Sequence, residues 1–307
     1  MTRVALCFPG QGSQAAGMAS KLVGDPLAVR LLEVAAAEGL DLAAALNGSD
    51  EGMRPTQIAQ PALTLVELVL AAGLPADLDV VGVAGHSVGE YAAVSVAGAY
   101  AAEDVLRLVI QRGREMASMT EGTMAAVLGI DAAAVEDACA EVRGGGEVVV
   151  VANFNAPGQT VISGSAAGVE QAGAMASDRG ARRVIALNVS GAFHSPLMTP
   201  AATRFGAVID ATPRHELRLP VVCNVDGAIV EHAADLPRRL AAQLDSPVRW
   251  MACVAGLVSL GAEWIVEVGP GSVLTALTRR IAPTVTAASV SDLAGAAALP
   301  TRHTTPA

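Results

Sequence analysis

A serine between two glycines is the first feature of this sequence that points to chemistry. The stretch Gly85-His86-Ser87-Val88-Gly89 follows the apolar run Val80–Ala84 and precedes an alanine-rich stretch of helical pattern. Gly-x-Ser-x-Gly between a strand and a helix is typical of a nucleophile elbow, where small residues permit a tight turn and the serine hydroxyl projects outward. A serine that only caps the helix is the alternative. The strand before the motif and the helix after it favour Ser87 as a nucleophile.

A serine hydroxyl needs a general base, and the chain has five histidines: His86, His194, His215, His232 and His303. His86 adjoins the serine, and its side chain is expected to point away from the hydroxyl. His215 and His232 lie in polar, charged surroundings and are predicted to be surface residues. His194 follows a predicted strand on a glycine-containing loop, and this position favours it as the base.

Buried strands that end at glycine turns are needed to position these side chains. Val4–Phe8, Val80–Ala84 and Glu263–Val268 are short runs rich in Val, Leu and Ile, and each is followed by a glycine turn and a helical pattern. Parallel strands of this kind deliver their loops to one edge of a sheet. The sequence therefore predicts an α/β fold with a mostly parallel sheet.

Residues 122–190 show a different order of elements, which predicts a second domain. The pattern indicates strand, helix, strand, strand, helix and strand over Thr123–Gly129, Ala132–Val142, Glu147–Asn153, Gln159–Ser163, Ala166–Arg179 and Arg183–Asn188. This order is the ferredoxin-like arrangement. We expect a small α+β domain at 122–190, inserted into a large domain formed by residues 1–121 and 191–307.

The composition excludes several classes of protein. The 307 residues are 52% hydrophobic and carry a formal net charge of −10, which argues against disorder and against nucleic-acid binding. Four scattered cysteines have no zinc-site spacing and are predicted to be buried free thiols. There is no signal-peptide pattern and no long apolar span, so a soluble, cytoplasmic protein is expected. After Leu299, an aperiodic stretch that includes His303 is predicted to be a frayed tail.

Six short motifs add a family resemblance. FPGQGSQ at 8–14, QPAL at 60–63, GHSVGEY at 85–91, QRGREM at 111–116, GAFHSPLM at 191–198 and EVGPG at 267–271 occur in this order. Together they resemble the malonyl-CoA:acyl carrier protein transacylases and the acyltransferase domains of polyketide synthases, over nearly the whole chain. The resemblance implies an α/β-hydrolase-like large domain with a ferredoxin-like insert.

The resemblance also implies roles for individual residues. Ser87 would be the acylated nucleophile and His194 its general base. The other implied roles are an oxyanion hole made by the backbone N–H groups of Gln11 and Val88, a carboxylate-binding Arg112, a histidine-orienting Gln243 and a pocket-lining Gln60.

Arg112 lies in the helical run Glu103–Met119 together with Arg107 and Arg114, which are expected to be solvated. A malonyl group carries a free carboxylate, and a guanidinium binds carboxylates through two directed hydrogen bonds. An uncharged acyl group would leave a buried arginine unpaired. Arg112 is therefore expected to select a charged donor.

No Asp or Glu lies on an obvious post-strand loop of the large domain between Ser87 and His194, where hydrolases of this fold place the acid that steadies the histidine. A neutral carbonyl from Gln243 would orient the imidazole instead. An ordinary helix-end residue is the alternative for Gln243.

Phe193 gives a clue to donor choice. Ala192-Phe193-His194 matches the ending that accompanies malonyl selection in polyketide acyltransferases, although Gly191 stands where that family often has histidine. A bulky Phe193 near the α-carbon would exclude a methyl branch, a discrimination typically worth about 1–3 kcal/mol.

The implied reaction needs no metal or redox cofactor, since its substrates are a coenzyme A thioester and the phosphopantetheine thiol of an acyl carrier protein. A monomer that does not act on nucleic acid or membranes is expected. Because carrier proteins are acidic, docking requires a local basic patch. Arg182-Arg183 and Arg279-Arg280 are the candidates, and solvated surface pairs are the alternative.

Three other functions stay open at this point. A trans-acting acyltransferase for another extender unit would use the same residues. A serine thioesterase or hydrolase would share Ser87 and His194 but would have no need of Arg112. A non-catalytic carrier-protein-binding module is disfavoured because Ser87, His194 and Arg112 are all present.

Overall fold

The computed structural model of the protein describes residues 2–22 and 24–299. The strands are β1 Val4–Phe8, β2 Val80–Gly85, β3 Thr123–Leu128, β4 Val149–Ala156, β5 Gln159–Gly164, β6 Arg183–Ala186, β7 Val221–Val222, β8 Ile229–Val230, β9 Trp264–Val268 and β10 Thr286–Val290. The helices are α1 Pro26–Ala37, α2 Leu42–Leu46, α3 Thr56–Ala72, α4 Gly89–Val96, α5 Ala102–Ala117, α6 Ala132–Gly144, α7 Ala166–Asp178, α8 Thr199–Ala211, α9 Leu236–Ala242, α10 Trp250–Ser259, α11 Val273–Ile281 and α12 Leu293–Ala297.

The larger sheet has the strand order β10-β9-β1-β2-β7-β8, and every neighbouring pair is parallel except β7 and β8. Central β1 is buried at all of its positions. Its residues Val4, Leu6 and Phe8 join one apolar core, and Ala5 and Cys7 join another. Both faces of this sheet are therefore covered, as a parallel sheet requires. The predicted mostly parallel α/β fold is confirmed.

The smaller sheet has the order β4-β5-β3-β6 and is antiparallel throughout. Side chains of α6 and α7 pack with those of β3, β4 and β5 in a third apolar core, which includes Val135, Val151 and Val169. This arrangement is the predicted ferredoxin-like fold. All four of its strands and both helices lie between Thr123 and Ala186.

Some element ends differ from their predicted positions. β4 runs on to Ala156 rather than ending at Asn153, because Val248 of the other part of the chain pairs with it: the N–H of Phe154 donates to the carbonyl of Val248 at 2.9 Å. The last strand of the insert ends at Ala186 rather than Asn188.

A second set of contacts joins the two sheets. The guanidinium of Arg280, on α11, donates to the carbonyl of Pro157 and the side chain of Gln159, both at 2.5 Å. The Arg249 guanidinium lies 5.3 Å from the ring centroid of Phe154. These contacts hold the β4–β5 hairpin beside the carboxyl-terminal part of the larger sheet.

All four cysteines are free and buried, as predicted. Across 2–22 and 24–299, no helix has both the length and the apolar character needed to cross a bilayer. The predicted tail after Leu299 lies outside the described residues.

Candidate active site

Ser87 lies at a tight turn between β2 and α4, and its φ angle of 53° is in the left-handed region. The glycines on either side are required by close backbone approach. A Cβ on Gly85 would lie 2.0 Å from the carbonyl carbon of Gly89, and one on Gly89 would lie 2.2 Å from the carbonyl oxygen of Phe8. Any larger residue at either position would separate the strand from the helix.

His194 is placed beside this serine by the loop that follows the small sheet. Its Nε2 atom lies 2.8 Å from Oγ of Ser87, and its Nδ1 lies 2.7 Å from the main-chain carbonyl oxygen of Gln243. That carbonyl fixes the imidazole with Nδ1–H donating and leaves Nε2 as the acceptor for the serine proton. The carbonyl predicted from Gln243 thus comes from its backbone, while its side chain has other partners.

The environment keeps His194 neutral. Burial and, second, the positive charge of Arg112 lower the pKa of His194 to about 3. A neutral imidazole at physiological pH is ready to accept a proton. Among the described residues no carboxylate is hydrogen-bonded to His194, so the usual acid of a serine triad is replaced by a neutral carbonyl.

Arg112 places a positive charge at the serine, and only 1% of its surface is exposed. One terminal nitrogen, Nη2, donates to Oγ of Ser87 at 3.2 Å and to Oε1 of Gln243 at 2.9 Å, and Nη1 donates to Oε1 of Gln60 at 2.5 Å. The guanidinium carbon lies 5.4 Å from the ring centroid of Tyr91, and Nε has no partner. Within the described chain no carboxylate forms an ion pair with this buried cation, although such a charge requires compensation.

The predicted oxyanion donors lie at the ends of neighbouring strands. Gln11 follows β1 and Val88 follows β2, and the register pairs Phe8 with Gly85. No hydrogen bond among the described residues uses the N–H of either Gln11 or Val88. N–H groups that have no other partner can stabilise a developing oxyanion.

Sequence reasoning missed a threonine that links this loop to the arginine. The hydroxyl of Thr56, at the start of α3, donates to Oε1 of Gln11 at 2.7 Å and accepts from Nε2 of Gln60 at 2.7 Å. Gln60 in turn accepts from Arg112, so one chain of hydrogen bonds runs from the β1 loop to the guanidinium. Thr56 precedes Gln60 by one helical turn, and this spacing was the only available signal.

Two further missed residues are Glu90, on the first turn of α4, and Asn224, just after β7. Both are buried. Asn224 Oδ1 accepts from the N–H of Ser87 at 2.8 Å, and Asn224 Nδ2 donates to the carbonyl of Gly85 at 2.6 Å. The spacing Ser-x-x-Glu could have singled out Glu90 as a helix-capping residue.

The other histidines singled out in the sequence, and Phe193, lie away from the Ser87 hydroxyl or at the surface, or belong to the core. His86 turns away from Ser87, with Nε2 2.8 Å from Oδ1 of Asn155 and its ring 5.6 Å from that of Trp250. Phe193 is 6% exposed and belongs to the largest apolar core. Solvent reaches both His215 and His232.

The two other arginines on α5 are also exposed. Arg107 and Arg114 retain 48% and 42% of their side-chain exposure, as expected for solvated residues. Only Arg112 of the three is turned into the protein.

Among the described residues, no group of three or more His, Cys, Asp or Glu is arranged to hold a metal ion.

The fold and this geometry together define a class of protein: α/β enzymes that carry a serine at a strand–helix elbow, beside a histidine, and transfer acyl groups through it. The model of the family described as "Acyl transferase domain" matches residues 6–304. The chain belongs to this family and is an acyltransferase.

Within this family, the chain is similar to malonyl CoA-acyl carrier protein transacylases. The chain is 39% identical over 303 residues to the malonyl CoA-acyl carrier protein transacylase of Bacillus subtilis, covering 95% of this chain and 94% of that protein. The crystal structure of the malonyl-CoA:acyl carrier protein transacylase of Xanthomonas oryzae has a TM-score of 0.89 at 38% identity, covering 96% of this chain and 97% of the other.

A third similar structure is a malonyl-transacylase in complex with a type II polyketide acyl-carrier protein. Its TM-score is 0.89 at 36% identity, with 96% of this chain and 98% of that chain covered. The resemblance identified in the sequence is therefore confirmed.

Proposed function

We propose that the protein transfers a malonyl group from malonyl-CoA to the phosphopantetheine thiol of an acyl carrier protein, through a malonyl ester on Ser87. One observation carries this proposal: a buried guanidinium without a carboxylate partner, that of Arg112, lies 3.2 Å from the Ser87 hydroxyl. A donor whose acyl group ends in a carboxylate supplies the missing charge. Relatives of this chain are named malonyl CoA-acyl carrier protein transacylases, and this supports malonyl-CoA as the donor.

In the first half-reaction, Nε2 of His194 takes the proton of the Ser87 hydroxyl while Oγ attacks the thioester carbonyl. The N–H groups of Gln11 and Val88 stabilise the oxyanion. The C–S bond then breaks, and the coenzyme A thiolate takes the proton from His194. Arg112 holds the malonyl carboxylate, which orients the carbonyl toward Oγ.

In the second half-reaction, the phosphopantetheine thiol gives its proton to His194 and its sulfur attacks the ester carbonyl. The same N–H pair stabilises the second oxyanion. The bond between the carbonyl carbon and Oγ breaks, and Oγ recovers its proton from His194. The ester must outlast its exposure to water, and burial of His194, Arg112 and Gln243 favours this.

The proposal needs no resident cofactor, because both acyl carriers enter as substrates. Coenzyme A thioesters serve as donors for the family, and a structural relative is seen bound to an acyl-carrier protein. We further propose that residues 122–190 act as a separate small domain beside the catalytic part formed by 1–121 and 191–307.

Intact-mass spectrometry tests the nucleophile and the donor together. The enzyme is incubated with malonyl-, methylmalonyl- or acetyl-CoA and its mass is measured before and after. We expect a malonyl adduct on the wild-type enzyme and on Ser95→Ala, a control change at the serine within α4, and none on Ser87→Ala. A malonyl adduct that survives Ser87→Ala would overturn the proposal. Rapid hydrolysis of the adduct with no transfer to a carrier protein would instead indicate a thioesterase.

Selection against a methyl branch is proposed to rest on Phe193. Replacing it by serine should raise the share of methylmalonyl-enzyme in competition with malonyl-CoA by about tenfold, as expected for an apolar contact with one methyl group. An unchanged share would remove Phe193 from donor selection.

Docking of the acidic carrier protein is proposed to use one of two arginine pairs. Arg182-Arg183 lies at the start of β6, and Arg279-Arg280 lies in the last turn of α11. Charge reversal of each pair, with the KM for carrier protein as the readout, distinguishes them. A pair whose reversal leaves KM unchanged is excluded. The hydrogen bonds of Arg280 to the β4–β5 hairpin make Arg182-Arg183 the cleaner test.

A further inference from the structure

A buried carboxylate, Glu90, lies one helical turn after Ser87 and takes no part in the mechanism above. It is 1% exposed and has two sets of donors. The backbone N–H of Asn224 lies 3.3 Å from Oε1 and 3.4 Å from Oε2, and the side-chain amide of Gln243 donates to Oε2. A single carboxylate thus anchors two residues that come from different parts of the chain.

The same two residues hold the main chain of the nucleophile from both sides. Oδ1 of Asn224 accepts from the N–H of Ser87 at 2.8 Å, and Nε2 of Gln243 donates to the carbonyl of Ser87 at 3.0 Å. Each polar group of the Ser87 backbone is therefore bonded to a side-chain amide, and the carbonyl also accepts from the backbone N–H of Glu90 at 3.1 Å. This arrangement opposes relaxation of the positive φ angle at Ser87, which an L-residue adopts only under constraint.

We infer that Glu90 is a positioning residue: it anchors Asn224 and Gln243, which in turn hold the Ser87 backbone in the conformation that points Oγ at His194. The inference rests on the proposed function in one respect, the assignment of Ser87 as the nucleophile. Gln243 also accepts from Arg112, so the same carboxylate supports the guanidinium.

Protonation of Glu90 should weaken this support. The groups that face it are the Arg112 guanidinium from α5, the Cys223 thiol after β7, Cys253 on α10 and the neighbouring Tyr91. Burial raises the pKa of Glu90 to about 7, against the opposing effects of its hydrogen bonds and of Arg112. Below that pH an added O–H would face two N–H donors, because carboxyl protonation turns an acceptor into a donor.

The test is the reaction of Ser87 with a fluorophosphonate, which phosphonylates an activated serine without presenting a carboxylate to Arg112. Glu90→Gln should slow this reaction by about 10- to 100-fold, as expected for a misplaced nucleophile. The matched control is Glu67→Gln, a change at a buried glutamate on α3 whose oxygens have no partner among the described residues. That control should react at the wild-type rate.

Two more readouts separate positioning from a general loss of structure. Wild-type phosphonylation should slow as the pH falls below about 7, and Glu90→Gln should lack this dependence. Glu90→Asp keeps the charge and should restore part of the rate, which keeps the test available if Glu90→Gln does not fold.

An unchanged rate in Glu90→Gln, or an equal loss in Glu67→Gln, would overturn the inference. The inference would also be overturned if phosphonylation of Glu90→Gln still slowed as the pH fell below about 7. Failure of the proposed function would be seen in a different experiment. In that case malonyl-enzyme would still form in Ser87→Ala, whatever the behaviour of Glu90.

Discussion

Oγ of Ser87 lies 2.8 Å from Nε2 of His194, and both residues adopt positive φ angles, of 53° and 58°. They are the only two non-glycine residues with positive φ in the described chain. Each such conformation costs an L-residue about 1–2 kcal/mol. Strain at both members of one reactive pair means that the surrounding contacts, rather than local preference, hold the pair together.

Removal of the guanidinium should change donor selection as well as rate. Arg112→Ala is expected to lower malonyl loading by about 10²–10³-fold, because a carboxylate would then be buried without its partner. Acetyl loading should fall much less, so the acetyl share should rise. Competition between malonyl-CoA and acetyl-CoA, read by intact mass, measures both. Equal loss of the two donors would contradict a carboxylate-binding role.

The parts of this site that follow from local pattern were predictable. The elbow is written in adjacent residues, Gly85 to Gly89, and β1 was placed correctly because its strand is fully apolar and ends at a glycine turn. His194 was found because it follows a strand. These features depend on short stretches of chain whose physical requirements appear in the sequence itself.

The parts that depend on contacts between distant stretches were not predictable. The partner of His194 Nδ1 is a main-chain carbonyl, and every residue has one. Asn224 follows a strand of only two residues, too short for any periodicity. Burial of Arg112, but not Arg107 or Arg114, depends on how α5 packs against α3 and α4.

Loss of the general base should leave donor binding in place. His194→Ala is expected to slow acylation by about 10²–10⁴-fold, because Arg112 still holds the malonyl carboxylate while no group takes the serine proton. Quenched-flow measurement of coenzyme A release gives the rate, and added imidazole should restore part of it. Since the pKa of His194 is about 3, its protonation should not slow the wild-type enzyme at pH 5–6. A fall in the wild-type acylation rate at acidic pH that disappeared only in His194→Ala would contradict this expectation.

The hydrogen-bond chain through Thr56 should contribute to oxyanion stabilisation. Thr56→Val keeps the shape of the side chain and removes its bonds to Gln11 and Gln60. A net loss of about 1 kcal/mol corresponds to acylation slowed by roughly fivefold. Thr64→Val is the matched control, since Thr64 is buried on the same helix and its hydroxyl has no partner among the described residues. Equal rates for the two variants would show that the chain has no kinetic effect.

The close approach of α4 to β1 should make Gly89 intolerant of any side chain. In Gly89→Ala, the new Cβ would lie 2.2 Å and 2.6 Å from the carbonyl oxygens of Phe8 and Pro9. Main-chain atoms of a central strand cannot move away, so we expect a loss of about 3 kcal/mol or more in the free energy of unfolding. Gly144 lies at the end of α6, and a Cβ added there would meet no atom within 4 Å outside its own helix. Gly144→Ala should therefore be neutral or stabilising. Urea unfolding of both variants measures the difference, and equal midpoints would refute it.

Glu67 should make the protein less stable as the pH rises. Its carboxyl is fully buried with no partner among the described residues, and burial, together with the negative charge of Glu267, raises its pKa well above the usual 4.5. Glu267 itself is held at the start of α11 by the N–H groups of Leu274 and Thr275. Above the ordinary carboxyl pKa the unfolded chain releases this proton and the folded chain retains it, so stability declines with pH.

Glu67→Gln removes that titration and should therefore be the more stable protein at high pH. Its advantage over wild type should be small near pH 4.5 and should grow by up to about 1.4 kcal/mol per pH unit above it. Urea unfolding at a series of pH values between 5 and 8 provides the comparison, with the m-value checked for constancy. A stability difference that did not vary with pH would mean that Glu67 is already ionised in the folded protein. In that case a counter-charge or an ordered water must compensate it, because a lone buried carboxylate is too costly to persist.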